Sequence, residues 1–472
     1  MTDLPPDPQD WDAFRRAAHD LLDRCLTRLE NAADHPWQPV PEEVRAGYAI
    51  GPAQGDETAL ARRLASEVMP YATGNTHPRF FGWVHGSGLA TGLMSEMVAA
   101  TMNANVGGRD HGAVYMERAV IDWARGVFGF PEGASGILVT GTSQATVIAL
   151  QAARVRALGP EMRRTGQGAA RLTAYAGASV HSSTAKALEL LGVGTENLRQ
   201  IPDGARGMDM GALRAAIAAD RAAGAQPFAL VGTAGAVDTG QFDDLDALAD
   251  VAVDEGLWLH VDGAFGAWVV LAGDDLAALA HGIGRADSLA CDFHKWMYVP
   301  YDCGLALIRD EAAHRAAFAV RPSYLEGQDR GLAGGDPWFC DYGIDLSRGN
   351  RALKVWSALT TYGPERLGAA IARNCAQARL MGDLVSGQSH MALLAPVVSN
   401  LCVFTADTWL DPAAQSALNR RIAQDLQLSG QAVFSTTDIG GVTGLRAAIV
   451  NHRTTKADIH TAIAAVAQAR GT

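Results

Sequence analysis

The spacing of hydrophobic and polar positions changes along this chain. Between residues 11 and 32, apolar side chains recur every three or four positions, as in an amphipathic helix, and residues 57–69 resume that spacing after a proline-rich connector. A segment of this size cannot bury a core of its own. We therefore expect it to pack on the main body of the protein or on a second subunit.

From about residue 136, short β-rich apolar runs alternate with helical stretches. The predicted strands cover residues 137–140, 172–176, 228–232, 257–261, 288–291 and 305–308. Such alternation predicts an α/β fold with a mainly parallel sheet covered by helices. Helices and a few strands return after residue 351. We accordingly divide the chain into an N-terminal helical segment (1–70), a large domain (71–350) and a small α/β domain (351–472).

Composition narrows the class of protein. The 472 residues are 48% hydrophobic and 19% charged, which is typical of a globular protein, and the formal net charge of −12 disfavours nucleic acid or an anionic membrane as partner. We find neither a membrane-length apolar run nor a signal-peptide pattern. The six cysteines form no CxxC pair and no zinc spacing, so we expect free thiols, no metal and a cytoplasmic location.

Candidate chemistry follows the predicted strands, where ligands bind in open α/β sheets. Asp262 ends one buried strand and Lys295 follows the next. Thr142 and Ser143 begin a helix directly after a strand, where hydroxyls and free backbone N–H groups can bind an anion. His181 begins another helix. Each of these residues alone has an ordinary structural explanation.

Together, the four positions suit pyridoxal 5′-phosphate (PLP). This cofactor requires a lysine amine for a Schiff base and a carboxylate that keeps its ring nitrogen protonated. It also requires a phosphate site at a helix N-terminus and a flat group over the ring. The order of these residues along one predicted sheet is therefore more informative than any one of them.

Eight stretches resemble the group II PLP-dependent amino-acid decarboxylases, the family of the aromatic-L-amino-acid, histidine, glutamate and cysteine-sulfinate decarboxylases. They are HPRFFGW (77–83), TGTSQATVIALQAAR (140–154), VHSSTAKA (180–187), GTAGAVDTGQFDDL (232–245), WLHVDGAFG (258–266), DFHKW (292–296), LSRGNRALKVW (346–356) and LRAAIVNHRTT (445–455). This resemblance implies the PLP-dependent transferase fold of aspartate aminotransferase (fold type I). It also implies a carboxy-lyase that releases CO₂ and an amine, acting as a homodimer.

Roles for the reactive centre come from the same resemblance. Lys295 would form the Schiff base, Asp262 would pair with the pyridinium nitrogen, and His181 would stack on the ring. Ala264 would lie against the opposite face of the ring, where a small side chain leaves room for the flat cofactor.

The resemblance also implies a phosphate site. Thr142 and Ser143 would bind the phosphate, helped by Asp292 or His294. Arg446 matches an arginine of many relatives, but its role differs across the family, so none is assigned here.

The sequence departs from the family at the loop that carries a proton-donating tyrosine. Three residues match that tyrosine imperfectly: Tyr324, Trp338 and Tyr342. In addition, Val237 occupies a position where aromatic decarboxylases tend to have a hydroxyl group. These departures leave open an oxygen-consuming reaction that forms an aldehyde.

The predicted substrate wall contains residues of two kinds. Phe80, Phe81 and Trp83 favour an aromatic substrate because they offer flat apolar contact area. His85 and Arg109 could instead pair with an acidic side chain such as that of aspartate or cysteine sulfinate. An aromatic L-amino acid is our first hypothesis.

Two further alternatives stay open at this point. An aminotransferase would share the PLP site and differ in the reaction that follows. A serine hydrolase would use Ser143 within Gly-Thr-Ser-Gln-Ala, which imitates a nucleophile elbow. That alternative leaves Lys295, Asp262 and His294 unexplained. We find no dinucleotide-binding or P-loop motif.

Overall fold

The computed structural model describes residues 7–51, 56–204, 206–320 and 327–471. It divides into two compact units. The larger comprises Val84–Arg379 and Ala395–Cys402, and the smaller comprises the described residues up to Trp83, Leu380–Leu394, and those from Val403 onward. These units divide the chain after residues 83, 379, 394 and 402, while the three-part division predicted from the sequence (1–70, 71–350 and 351–472) stays a prediction.

Sixteen α-helices lie within the described residues. They are α1 (Trp11–Glu30), α2 (Glu42–Ala46), α3 (Glu57–Arg63), α4 (Thr91–Met102), α5 (Gly112–Val127), α6 (Thr142–Leu158), α7 (Met162–Thr165), α8 (Ser182–Leu190), α9 (Met210–Ala222), α10 (Leu245–Glu255), α11 (Asp274–Ala277), α12 (Phe293–Trp296), α13 (Glu311–Phe318), α14 (Ala352–Ser386), α15 (Pro412–Leu428) and α16 (Lys456–Arg470). A break at Gly363 interrupts α14, where φ is 70° and Pro364 follows. None of these helices is both long and apolar enough to cross a membrane.

A seven-stranded sheet forms the centre of the larger unit. Its strands are β1 (Ser135–Val139), β2 (Leu172–Gly177), β3 (Leu198–Ile201), β6 (Gln226–Thr233), β7 (Trp258–Asp262), β8 (Ser288–Asp292) and β9 (Gly304–Ile308), while β4 (Asp203–Gly204) and β5 (Gly207–Met208) pair separately. The order is β1-β9-β8-β7-β6-β2-β3. Only β9 runs antiparallel to its neighbours. The predicted α/β class with a mainly parallel sheet is confirmed.

Burial explains why these segments became strands. Every residue of β1, β2, β7, β8 and β9 is buried, as expected for strands covered on both faces. The edge strand β3 was not predicted, because its sequence LRQI is half polar and only Ile201 is buried. Since β1 and β8 are both antiparallel to β9, they run in the same direction. The ends of β1, β2, β7 and β8 therefore lie along one edge of the sheet.

The smaller unit contains a four-stranded sheet in the order β10-β11-β13-β12. Its strands are β10 (Ala392–Leu393), β11 (Leu401–Thr405), β12 (Ser435–Ile439) and β13 (Val442–Ala448). Gly440 and Gly441 connect β12 to β13, and both have positive φ, as a tight hairpin turn requires. The segment before residue 84 joins this unit, because Phe81 N–H donates to the carbonyl of Val433 at 2.7 Å.

Candidate active site

Asp262 ends β7 with its side chain only 4% exposed. Its Oδ1 accepts a hydrogen bond from the backbone N–H of Ala264 at 3.1 Å. Burial raises the pKa of this carboxyl group, whereas the positive charge of Lys295, the Ala264 N–H and His181 lower it. An ionised carboxylate here is therefore stabilised by an incoming cation, as a ring-nitrogen partner would be.

Lys295 lies on α12, the single helical turn that follows β8. Its Nζ atom is 2.9 Å from Oδ2 of Asp292, the last residue of that strand. The other carboxylate oxygen of Asp292 accepts the backbone N–H of Thr142 at 2.7 Å. Buried Asp292 thus connects the lysine amine to the start of α6, a connection that the sequence did not predict.

The turn from β1 into α6 has the features of an anion site. Gly141 precedes the 17-residue helix α6, and a Cβ atom built on it would lie 3.4 Å from the His294 ring. Thr142 Oγ1 is buried and has no hydrogen-bond partner. Ser143, the next residue, is exposed. A buried hydroxyl without a partner beside a helix N-terminus suits a phosphate group, so the residues present fit PLP.

The backbone of Cys303 holds the His294 ring beside this turn. Its Nδ1 lies 3.1 Å from both the backbone nitrogen and the carbonyl oxygen of Cys303. Nε2 is 3.7 Å from Asp292 Oδ2. Burial lowers the pKa of His294, which favours the neutral ring. The Tyr301 ring lies 4.3 Å from the imidazole, measured between centroids, and sequence reasoning gave no signal for this contact.

His181 is the N-cap of α8, four residues beyond β2. Its Nδ1 accepts the backbone N–H of Ser183 at 3.2 Å, so its proton also lies on Nε2. The side chain is exposed, whereas Ala264 is half-buried. Because Lys295 and His181 both act electrostatically on Asp262, the structure brings together these three predicted residues.

The predicted substrate residues are divided between the two units. Phe80 and Trp83 belong to the smaller unit, where Phe80 is buried and Trp83 is 50% exposed with φ of +50°. Arg446, buried on β13, donates to the Trp83 carbonyl at 3.1 Å. His85 and Arg109 belong to the larger unit.

His85 and Arg109 differ in their surroundings. Gly86, next to His85, packs against the carbonyls of His294 and Lys295 without room for a Cβ atom. Burial and the charge of Lys295 lower the pKa of His85. The Arg109 guanidinium instead lies 4.4 Å above the ring of Trp338. His85 therefore adjoins the Lys295 turn, while Arg109 contacts the loop before residue 342.

Two of the three candidate proton donors have other partners. Trp338 is buried and its Nε1 donates to the Gly334 carbonyl at 2.9 Å. The buried Tyr342 donates its hydroxyl hydrogen to Glu311. Tyr324 lies outside the described residues.

Comparisons with known proteins agree with this geometry. Residues 43–407 match the pyridoxal-dependent decarboxylase conserved domain. An aromatic-L-amino-acid decarboxylase of Bacillus atrophaeus is 30% identical over 407 residues, covering 85% of this chain and 82% of the relative. A phenylacetaldehyde synthase of Petunia hybrida is 26% identical over 467 residues, covering 93% and 90%.

A solved structure of similar fold is the Oryza sativa TDC with PLP and tryptamine. It has a TM-score of 0.89 at 26% identity and covers 99% of both chains. The predicted fold type and the predicted cofactor are thereby confirmed. Because the family model spans most of the sequence, this chain belongs to the pyridoxal-dependent decarboxylase family.

Proposed function

We propose that this chain decarboxylates an aromatic L-amino acid and releases the amine and CO₂. The observation that carries the proposal is the convergence of Lys295, Asp262 and Thr142 at one edge of the sheet, joined by the carboxylate of Asp292. These are the groups that a PLP-dependent decarboxylase needs, and the relatives named above are enzymes of that kind. When bound, PLP supplies the ring that accepts the electron pair of the broken bond.

Different residues of this chain would bind different parts of the cofactor. Lys295 would anchor it covalently, and Asp262 would hold its ring nitrogen. Thr142 Oγ1, with the backbone N–H groups that begin α6, would bind the phosphate. His294, whose Nδ1 is held by the backbone of Cys303, would present Nε2 to the same phosphate.

We assign Asp292 a supporting role instead of direct phosphate contact. A carboxylate repels phosphate, and both of its oxygens already have partners, the Thr142 N–H and the Lys295 amine. Asp292 would therefore orient the lysine and the turn that binds the phosphate. Ser143, which is exposed, and Ala264, which is half-buried, stay in the proposed cofactor site as ring-side or phosphate-side contacts.

The two polar candidates differ in their state. The Arg109 guanidinium stacks on Trp338, while burial and the charge of Lys295 lower the pKa of His85, which favours a neutral ring. The aromatic preference is supported by the relatives, which include an aromatic-L-amino-acid decarboxylase. His181, whose Nε2 carries a proton, would donate to the substrate carboxylate and orient the bond that breaks.

The proposal is tested by incubating the PLP-loaded protein with each of the twenty amino acids. We expect amine and CO₂ in equal amounts from tryptophan, tyrosine or phenylalanine. Borohydride should fix the cofactor to the peptide that contains Lys295. Transamination of a keto acid without CO₂ release would refute decarboxylation, and release from aspartate or cysteine sulfinate alone would refute the aromatic preference.

An aldehyde-forming reaction is the second candidate, favoured by the state of the loop before residue 342. Trp338 and Tyr342 are buried and donate their hydrogens to protein oxygens, so neither is placed to protonate a product. In that reaction the amino acid, O₂ and water would give the aldehyde, CO₂, ammonia and hydrogen peroxide. Oxygen uptake and peroxide in the same incubations would distinguish it. A serine hydrolase is not supported, because His181 bonds to Ser183 instead of Ser143.

We further propose that the enzyme is a cytoplasmic homodimer. No residue of α1 is buried, although Trp11, Phe14 and Leu26 lie on it, and α4 exposes four more large apolar side chains. These surfaces, with the loop near 320–342, whose residues 321–326 lie outside the described part of the chain, would contribute to the partner's site. Sedimentation that gives a fully active monomer would refute the proposal.

A further inference from the structure

A buried amide holds the chain immediately after Lys295. We propose that Asn374, on α14, is a positioning residue that fixes the Lys295 turn without touching the lysine. The proposal rests on the proposed function only in that Lys295 anchors PLP.

Asn374 accepts two hydrogen bonds from this turn. Trp296 donates from Nε1 to Asn374 Oδ1 at 3.1 Å, and Tyr298 donates its hydroxyl hydrogen to the same oxygen at 2.8 Å. Because an indole N–H can only donate, the amide must present its oxygen to Trp296. Its Nδ2 then donates to Gln377 Oε1 at 2.9 Å. The orientation of the amide is therefore determined by its partners.

All four side chains of this network are removed from water. Trp296, Tyr298 and Asn374 have no exposed surface, and Gln377 is 2% exposed. An apolar residue at position 374 would leave two buried donors without the acceptor that they now share.

The backbone conformation of Tyr298 links the hydrogen bonds of Asn374 to Lys295. Tyr298 has φ of +59°, a conformation that side chains other than glycine rarely adopt. Its N–H donates to the Lys295 carbonyl at 3.3 Å, and its own carbonyl accepts from Leu89 at 2.8 Å. The hydrogen bond from the Tyr298 hydroxyl group to Asn374 holds Tyr298 in this left-handed conformation. The Tyr298 N–H then closes the turn on the Lys295 carbonyl.

The other end of the turn is tethered independently. Trp268 donates from Nε1 to the Asp292 carbonyl at 3.0 Å, and Asp292 N–H donates to the Ala264 carbonyl at 2.9 Å. Lys295 thus lies between a tether at Asp292 and a tether at Asn374. Loss of the second tether frees the lysine backbone on the side of Trp296.

Asn374→Ala tests the proposal, with Asn419→Ala as the matched control. Asn419 is an equally buried amide on α15, where its Oδ1 accepts from Ala406 and its Nδ2 donates to Thr405 and Thr443. Both variants remove a buried amide from a helix, but only one removes a tether of Lys295. The measurements are kcat, KM, thermal midpoint and the pH midpoint of the visible absorbance of bound PLP.

For Asn374→Ala we expect kcat to fall about tenfold or more while KM changes less than about twofold, because the lysine is displaced and the substrate wall is not. The pH midpoint of the absorbance should also shift. Asn419→Ala should lower the thermal midpoint to a similar degree and leave the absorbance midpoint unchanged. Equal effects of the two variants at equal thermal destabilisation would overturn the proposal.

Tyr298→Phe covers the case in which Asn374→Ala does not fold. It removes one hydrogen bond and keeps the aromatic ring, and it should produce the same shifts with smaller size. An unchanged absorbance midpoint and kcat in Tyr298→Phe would also overturn the proposal. If the wild-type protein itself does not form a borohydride-fixed adduct at Lys295, the proposed function fails, and this result is distinct from any result with the variants.

Discussion

Replacement of Asp262 by asparagine should separate stability from catalysis. The two side chains have the same shape, and asparagine Oδ1 can still accept the Ala264 N–H, which lies 3.1 Å from Oδ1 in the wild-type protein. The substitution therefore removes the negative charge and little else. At 4% exposure the carboxylate is out of reach of solvent screening, so its effect on a bound cation is large.

The size of the effect follows from the cost of breaking a buried charge pair. Loss of one partner costs about 2–5 kcal/mol, which at about 1.36 kcal/mol per factor of ten is a loss of roughly 30- to 5,000-fold. We expect kcat/KM of Asp262→Asn to fall within that range. Steady-state assays of amine formation at saturating PLP measure it.

Without PLP, the thermal stability of Asp262→Asn should not fall below that of the wild-type protein. Burial raises the pKa of Asp262 above its unfolded value of about 3.9. As pH rises above that value, ionisation of the buried carboxyl group therefore lowers the free energy of unfolding. Asparagine removes this penalty, and the variant should melt at the same or a higher temperature at pH 7. Near-normal activity, or a large loss of thermal stability, would show that Asp262 acts only as a structural residue.

Three further predictions concern the phosphate site and the buried core. Thr142→Val removes a buried hydroxyl without a partner, so stability without PLP should hold while the Kd for PLP, titrated by fluorescence quenching, rises about 10- to 100-fold; an unchanged Kd would refute the phosphate site. Burial lowers the pKa of His260 and of His314 to about 3. The contribution of each neutral ring to the free energy of unfolding is therefore complete above pH ~6.5 and is lost as pH falls toward 3, with roughly 2 kcal/mol lost per histidine by pH 5. Urea unfolding of His314→Gln should therefore depend less on pH than that of the wild type, and an identical dependence would contradict this. Arg348→Met leaves Glu117 buried without its ion-pair partner and should lower the free energy of unfolding by about 3–5 kcal/mol in urea titration, whereas a loss below about 1 kcal/mol would refute it.

The local elements that position the site were accessible from the sequence. Strands that are buried on both faces read as apolar runs, and β7 and β8 lie within one residue of the predicted bounds. Asp262 stands out because it directly follows one apolar run, and Lys295 because it lies four residues beyond the next. The edge strand β3 gave no such signal, since three of its four residues are exposed or only half-buried.

The sequence by itself determined the α/β class, the family and the residue types of the site, because hydrophobic periodicity and motif order are local properties of a chain. Only the tertiary structure decided which residues meet across sequence distance. The Asp292 carboxylate joins Thr142 to Lys295, and Asn374 holds the turn that follows the lysine. The contact between Thr142 and Asp292 spans 150 positions, and the contact between Trp296 and Asn374 spans 78. They depend on strand order and helix packing, which the pattern of a single segment does not encode.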